Sequence, residues 1–143
     1  MASRSMMAST CFDVAGPYEM FNWVNPAKGL ETVIVSEAGS SVKTMNGVRF
    51  EVQASFAATP ALDVLWVPGG DPKVLGEIMS DGDSSYLVYL RQVAAKAKWV
   101  CSVCEGALLL ARAGLLDGHK ATTPLGICEL PLKLPRNRGL HRP

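Results

Sequence analysis

At 143 residues, with 48% hydrophobic and 19% charged side chains, the chain has the size and composition of one globular domain rather than a disordered segment. A formal net charge of +1, with Lys and Arg spread along most of the length outside the basic C-terminus, argues against the electrostatic footprint of a nucleic-acid binder. No apolar run approaches the ~20 residues of a membrane span, residues 1–10 lack the apolar core of a secretory signal, and four irregularly spaced cysteines make no disulfide framework, so a reducing, cytoplasmic setting is expected.

Residues 1–10 carry no pattern. Pro17 suits the first turn of a helix, where its missing N–H would have no partner in any case. With Tyr18, Phe21 and Trp23 behind it, a short helix over 17–24 is predicted. Asp13 then precedes that helix, where a lone Asp reads as a cap. The β-branched run Thr32 to Ser36 predicts a buried strand, and Val42–Thr44 and Arg49–Val52 flank Asn46-Gly47, a hairpin signal because both turn positions accept positive φ.

Asp63 to Val67 predicts a second buried strand that stops at Pro68-Gly69-Gly70. Helices follow over 72–79 and 84–97, the latter with Leu87, Leu90, Val93, Ala94 and Ala97 on one face. Lys98–Val103 predicts a third strand, and Glu105–Ala113 a helix closed by Gly114 as its C-cap glycine. Strands alternating with helices imply βαβ units and a mostly parallel sheet with right-handed crossovers. Past Pro124 the pattern fails: prolines at 124, 131, 135 and 143 and the basic stretch 136–142 predict an irregular tail over 124–143.

The chemistry concentrates at Ser102-Val103-Cys104-Glu105-Gly106. A strand runs straight into a helix there, with small residues two before and two after Cys104, as a nucleophile elbow requires. A thiol at a helix N-terminus has its thiolate favoured by the unpaired N–H groups and the macrodipole, and the free value near ~8.5 can fall to roughly 3.5–7.5. Cys104 is therefore the candidate nucleophile, against the plainer reading of a packed strand-end cysteine. The Cys101-x-x-Cys104 spacing also admits redox chemistry, but Cys101 falls inside the strand, and no second close-spaced pair supports zinc. Gly69 and Gly70, at the end of the neighbouring strand, allow backbone N–H groups to approach a reacting atom. Glu105 reads either as a first-turn carboxylate or as a charge opposing thiolate formation. His119 reads as a solvated turn residue.

Three stretches in order, 12–21, 66–70 and 100–118, resemble the DJ-1/PfpI family, most closely its isonitrile hydratase-like branch, which is also related to the sensor domain of some AraC-type regulators. The likeness covers about 11–123, which is taken as the domain. It implies a flavodoxin-like α/β fold, a three-layer sandwich. It also implies Cys104 as the catalytic thiolate and Asp13 as its acidic partner for proton transfer. The amides near Gly70 and Glu105 would hold developing charge, so that Gly69, Gly70 and Glu105 contact the substrate. The implied reaction is hydration of a small-molecule isonitrile to an N-substituted formamide, with neither metal nor organic cofactor, by a homodimer.

The departures are specific. The family begins with a hydrophobic strand just before the Asp13 position, continues with His-Trp where this chain has Pro124-Leu125, and carries further strands and helices. Isonitrile hydratases have Thr where Glu105 stands. The resemblance thus predicts a chain incomplete at both ends, with a shifted reading frame after Thr123 as one source of the tail. A ligand- or oxidation-sensing domain and an inactive fragment are the alternatives to the enzyme. A sheet lacking a central strand leaves edges and apolar faces uncovered, so marginal stability is expected.

Overall fold

The structure, a computed structural model, describes residues 10–28, 31–119 and 121. The expectations for residues 1–9 and for the tail, together with Cys128, lie outside these residues. The chain divides into two compact units, one up to Pro60 and the other from Ala61 onward.

The N-terminal unit opens with helix α1, Cys11–Lys28. It starts well before Pro17, which corrects the expected helix over 17–24. Asp13 therefore sits in the first turn rather than ahead of the helix, its N–H donating to the Thr10 carbonyl at 3.2 Å. An acid in the first turn favours this earlier start. Pro17 becomes an interior residue with no N–H for the carbonyl four positions back. Tyr18 and Phe21 are half-buried, whereas Phe12, Met20 and Trp23 are exposed.

The run from Thr32 yields only strand β1, Val35–Ser36, and only Ser36 in it is fully buried. It pairs in parallel with β4, Ala54–Ser55, in the register Val35↔Ala54. One residue earlier, Gln53 extends the pairing with both its groups: its backbone N–H donates to the Ile34 carbonyl at 2.9 Å and its Oε1 accepts from the Ile34 N–H at 2.6 Å. That side-chain bond replaces the next rung of the ladder, which is why the strand stops short of its β-branched run.

Between them lies the hairpin, β2 (Val42–Lys43) against β3 (Arg49–Phe50), in the register Val42↔Phe50. Its turn is not the two-residue form with both φ positive. Gly47 alone is left-handed, at φ 87°, with its N–H on the Thr44 carbonyl, while the Thr44 N–H reaches the Val48 carbonyl at 2.8 Å. This is a three-residue loop ending in a glycine bulge, the geometry that needs one positive φ rather than two. A 3-10 turn, Phe56–Ala58, closes the unit, capped by Ser55 Oγ.

The C-terminal unit is built on two parallel strands, β5 (Val64–Val67) and β6 (Trp99–Ser102), in the register Leu65↔Val100 and Val67↔Ser102. Two helices cross between them. In α2, Pro72–Ser80, the Asp71 side chain accepts from the Lys73 N–H and Pro72 fills the first helical position. Helix α3, Ser85–Ala94, ends three residues earlier than expected, the chain turning through 95–97 into β6. Its buried face holds Tyr86, Leu87, Tyr89 and Leu90, while Val93, Ala94 and Ala97 are only half-buried. The two tyrosines widen the stripe, and α2 and α4 (Gly106–Arg112) pack against α3.

Every residue of α4 from Gly106 to Ala111 is buried, because the helix meets β5, β6, α2 and α3. A helix apolar on all sides belongs in such a place. Its end is a Schellman motif: Gly114 takes φ 78°, its N–H bonds the Ala111 carbonyl, and the Leu115 N–H bonds the Leu110 carbonyl. Arg112 ties this end to α2 through Nε donating to the Met79 carbonyl at 2.8 Å. At the opposite end of the sheet, Lys98 and Asp63 form an exposed ion pair at 2.8 Å beside Trp99 and Val64, both exposed. Among the described residues, no helix is long and apolar enough to cross a membrane.

Candidate active site

The site is assembled at the carboxyl ends of β5 and β6, where ligands of open parallel sheets bind. β6 ends at Ser102, and the chain reaches α4 through Val103, Cys104 and Glu105. The Val103 N–H continues the parallel ladder onto the Val67 carbonyl at 3.1 Å, and the Gly106 N–H then returns to the Val103 carbonyl at 2.9 Å. These two bonds fix a turn with Cys104 and Glu105 as its central residues.

Cys104 has φ 48°, the only positive φ of a non-glycine residue among those described. A side chain in this left-handed region costs roughly 1–3 kcal/mol and persists only where its surroundings impose it. Here the surroundings are visible. A Cβ at position 106 would overlap the Val67 carbonyl oxygen and stand 2.9 Å from that of Pro68, so only glycine lets the start of α4 lie against the end of β5. The small residue expected two places after the nucleophile is thus accounted for by a backbone approach.

Gly69 serves the same packing from the other strand. A Cβ there would stand 2.8 Å from Cys104 Cβ and 2.9 Å from the Glu105 nitrogen, and would overlap Glu105 Oε2. The Cys104–Glu105 peptide therefore lies directly over Gly69, and both Gly69 and Gly70 are buried. Cys104 and Glu105 are half-buried. Glu105 occupies the N-cap position of α4 but makes no side-chain capping bond. Its carboxylate instead reaches back over Gly69, with an oxygen within 4.8 Å of Cys104 Sγ.

Of the residues singled out in the sequence, Cys104, Glu105 and Gly69 are brought together in this unit, with Gly70 next to them. Asp13 belongs to the N-terminal unit, in the first turn of α1, and is buried, with 7% of its surface exposed. A buried carboxyl must be hydrogen-bonded or paired. Cys101 lies in β6 opposite Trp66, within the strand as expected, and His119 is exposed. The sequence reading missed Arg112, whose bond to the Met79 carbonyl anchors the far end of the elbow helix. An arginine in a last helical turn reads only as a dipole partner, so nothing in the sequence distinguished it.

Comparison with known proteins places the chain among its relatives. Over 111 residues the chain is 35% identical to an isonitrile hydratase from Pseudomonas putida, a match covering 78% of this chain and 46% of that protein. It is 34% identical over 115 residues to an uncharacterized protein in the cpoL 5′ region of Streptomyces lividans, covering 78% of this chain and 77% of that one. The crystal structure of a ThiJ/PfpI family protein from Pseudomonas syringae superposes with a TM-score of 0.71 at 34% identity, over 82% of this chain and 46% of that chain. The chain thus spans about half the length of the Pseudomonas proteins. Its fold class is the flavodoxin-like α/β class of these relatives. With the family model for DJ-1/PfpI matching residues 9–132, the chain belongs to the DJ-1/PfpI family.

Proposed function

We propose that the chain is a cysteine-dependent, isonitrile hydratase-like domain acting on a small molecule, with Cys104 as nucleophile. The observation that carries this reading is the left-handed Cys104 between β6 and α4, held there by close approaches at Gly69 and Gly106. Strain of this kind clusters at sites of chemistry, where it keeps a reactive atom clear of the turn that carries it. The identity to an isonitrile hydratase names the reaction to test first.

In that reaction the Cys104 thiolate adds to the terminal carbon of the isonitrile and a proton is delivered to that carbon, giving a thioimidate. Water then adds to the same carbon, the C–S bond breaks, and the products are the N-substituted formamide and the regenerated thiolate. One water is consumed and no electrons are exchanged. Asp13, a buried acid in the position the family pattern reserves for the nucleophile's partner, is assigned the proton transfers. The backbone around Gly69, Gly70 and Glu105 is assigned to the substrate and its developing charge.

The test is formamide production from a small alkyl isonitrile, followed by mass spectrometry. Turnover that disappears in Cys104→Ala and falls about 10²–10⁴-fold in Asp13→Asn, with both variants folded by circular dichroism, supports the assignment. Folded wild-type protein that makes no formamide above the buffer rate refutes it. Peroxide oxidation confined to Cys104 in such an inactive protein would instead favour a sensing domain.

A further inference from the structure

The carboxylate of Glu105 has no role as a helix cap, since it makes no bond to the first amides of α4. It folds back over Gly69, into the space a β-carbon would fill, and one oxygen comes within 4.8 Å of Cys104 Sγ. Gly69 is buried and Glu105 is half-buried, so this charge stands at the mouth of the elbow rather than in bulk water.

We infer that Glu105 is a specificity-determining residue whose carboxylate excludes anionic substrates from Cys104 and favours electrophiles that are neutral or carry positive charge beside the reacting carbon. The inference rests on Cys104 being the nucleophile and names the substrate class of that same site. A molecule bonding to Sγ can bring its substituents to within about 5 Å of this carboxylate. At that separation two like charges in a water-like dielectric alter a rate by about fourfold, and by more where protein displaces water.

The test compares alkylating probes that differ in charge. Iodoacetamide, iodoacetate and 2-bromoethylammonium each form an S–C bond at a thiolate and expel halide, so the ratio of two rates at one cysteine does not depend on how much thiolate is present. Rates are read at Cys104 by mass spectrometry of the intact folded chain and normalised to the same ratios for N-acetylcysteine amide, a thiol with no carboxylate. In the wild type, iodoacetate is disfavoured against iodoacetamide by about fourfold or more beyond the free-thiol ratio, and the cationic probe is favoured. In Glu105→Gln, which keeps the shape and removes the charge, both ratios shift toward the free-thiol values, and raising the salt moves the wild type the same way.

Equal normalised ratios in wild type and Glu105→Gln overturn the inference while leaving a reactive Cys104 intact. A Cys104 that resists all three probes while Cys11 reacts overturns the nucleophile assignment and this inference with it. Should Glu105→Gln fail to fold, wild-type ratios indistinguishable from the free thiol at low salt are by themselves sufficient to overturn it.

Discussion

Replacing Cys104 separately by glycine and by alanine isolates the backbone strain at the elbow. Both variants remove the sulfur; only alanine keeps a Cβ at φ 48°. A Cβ in the left-handed region costs about 1–2 kcal/mol, and the glycine variant escapes it. Against this, glycine loses more backbone freedom on folding, worth about 0.5–1 kcal/mol relative to alanine. The balance leaves Cys104→Gly more stable than Cys104→Ala by about 0.5–1 kcal/mol, the reverse of the order at an ordinary strand or helix position. Urea unfolding of the two variants side by side measures the difference, provided their m-values agree. If Cys104→Gly is the less stable by about 0.5–1 kcal/mol, the residue is not held in the left-handed region and the elbow carries no backbone strain.

Gly106→Ala places a methyl group against the Val67 and Pro68 carbonyl oxygens; a loss of about 1–3 kcal/mol and slower alkylation of Cys104 are expected, and unchanged values for both would refute the close approach. Leu87, with 0% of its surface exposed, anchors α3, and Leu87→Ala is expected to cost about 2–5 kcal/mol in the same unfolding assay. Burial pushes the Tyr86 phenol well above its ordinary 10.0. Because the folded value is raised, the unfolded chain releases this proton first, so stability present below about pH 10 declines as pH rises beyond it. Unfolding between pH 8 and 11 should show that decline flattened in Tyr86→Phe. The Lys98 ammonium, raised by its hydrogen bond to the Asp63 carboxylate, adds a change of the same sign that Tyr86→Phe leaves in place.

Much of this protein is legible in its sequence, and the reason is local. The β5 and β6 strands, the α2 helix, and the Gly114 stop of α4 depend on residues within a turn or two of one another, so pattern and propensity sufficed. The elbow was readable for the same reason: a strand, a small residue either side of a cysteine, and an apolar helix are contiguous. The three stretches that mark the DJ-1/PfpI family are equally linear signals.

What the sequence left undecided turns on atoms far apart in the chain. Pro17 argued for a helix start, but α1 begins at Cys11 and places Asp13 inside its first turn. The β-branched run at 32–36 promised a full strand, yet its pairing stops where the Gln53 side chain takes over from the backbone. Glycine at 69 and 106 could have meant only flexible turns; the tertiary structure makes each a contact between the ends of β5 and α4, too close for any side chain. The direction of the Glu105 carboxylate was likewise open, because a residue at a helix start can cap the helix or turn away from it. Only the packing of Gly69 beneath it decided that it faces the thiol, since a rotamer is selected by the neighbours that leave it room, and those neighbours lie 36 residues away in sequence.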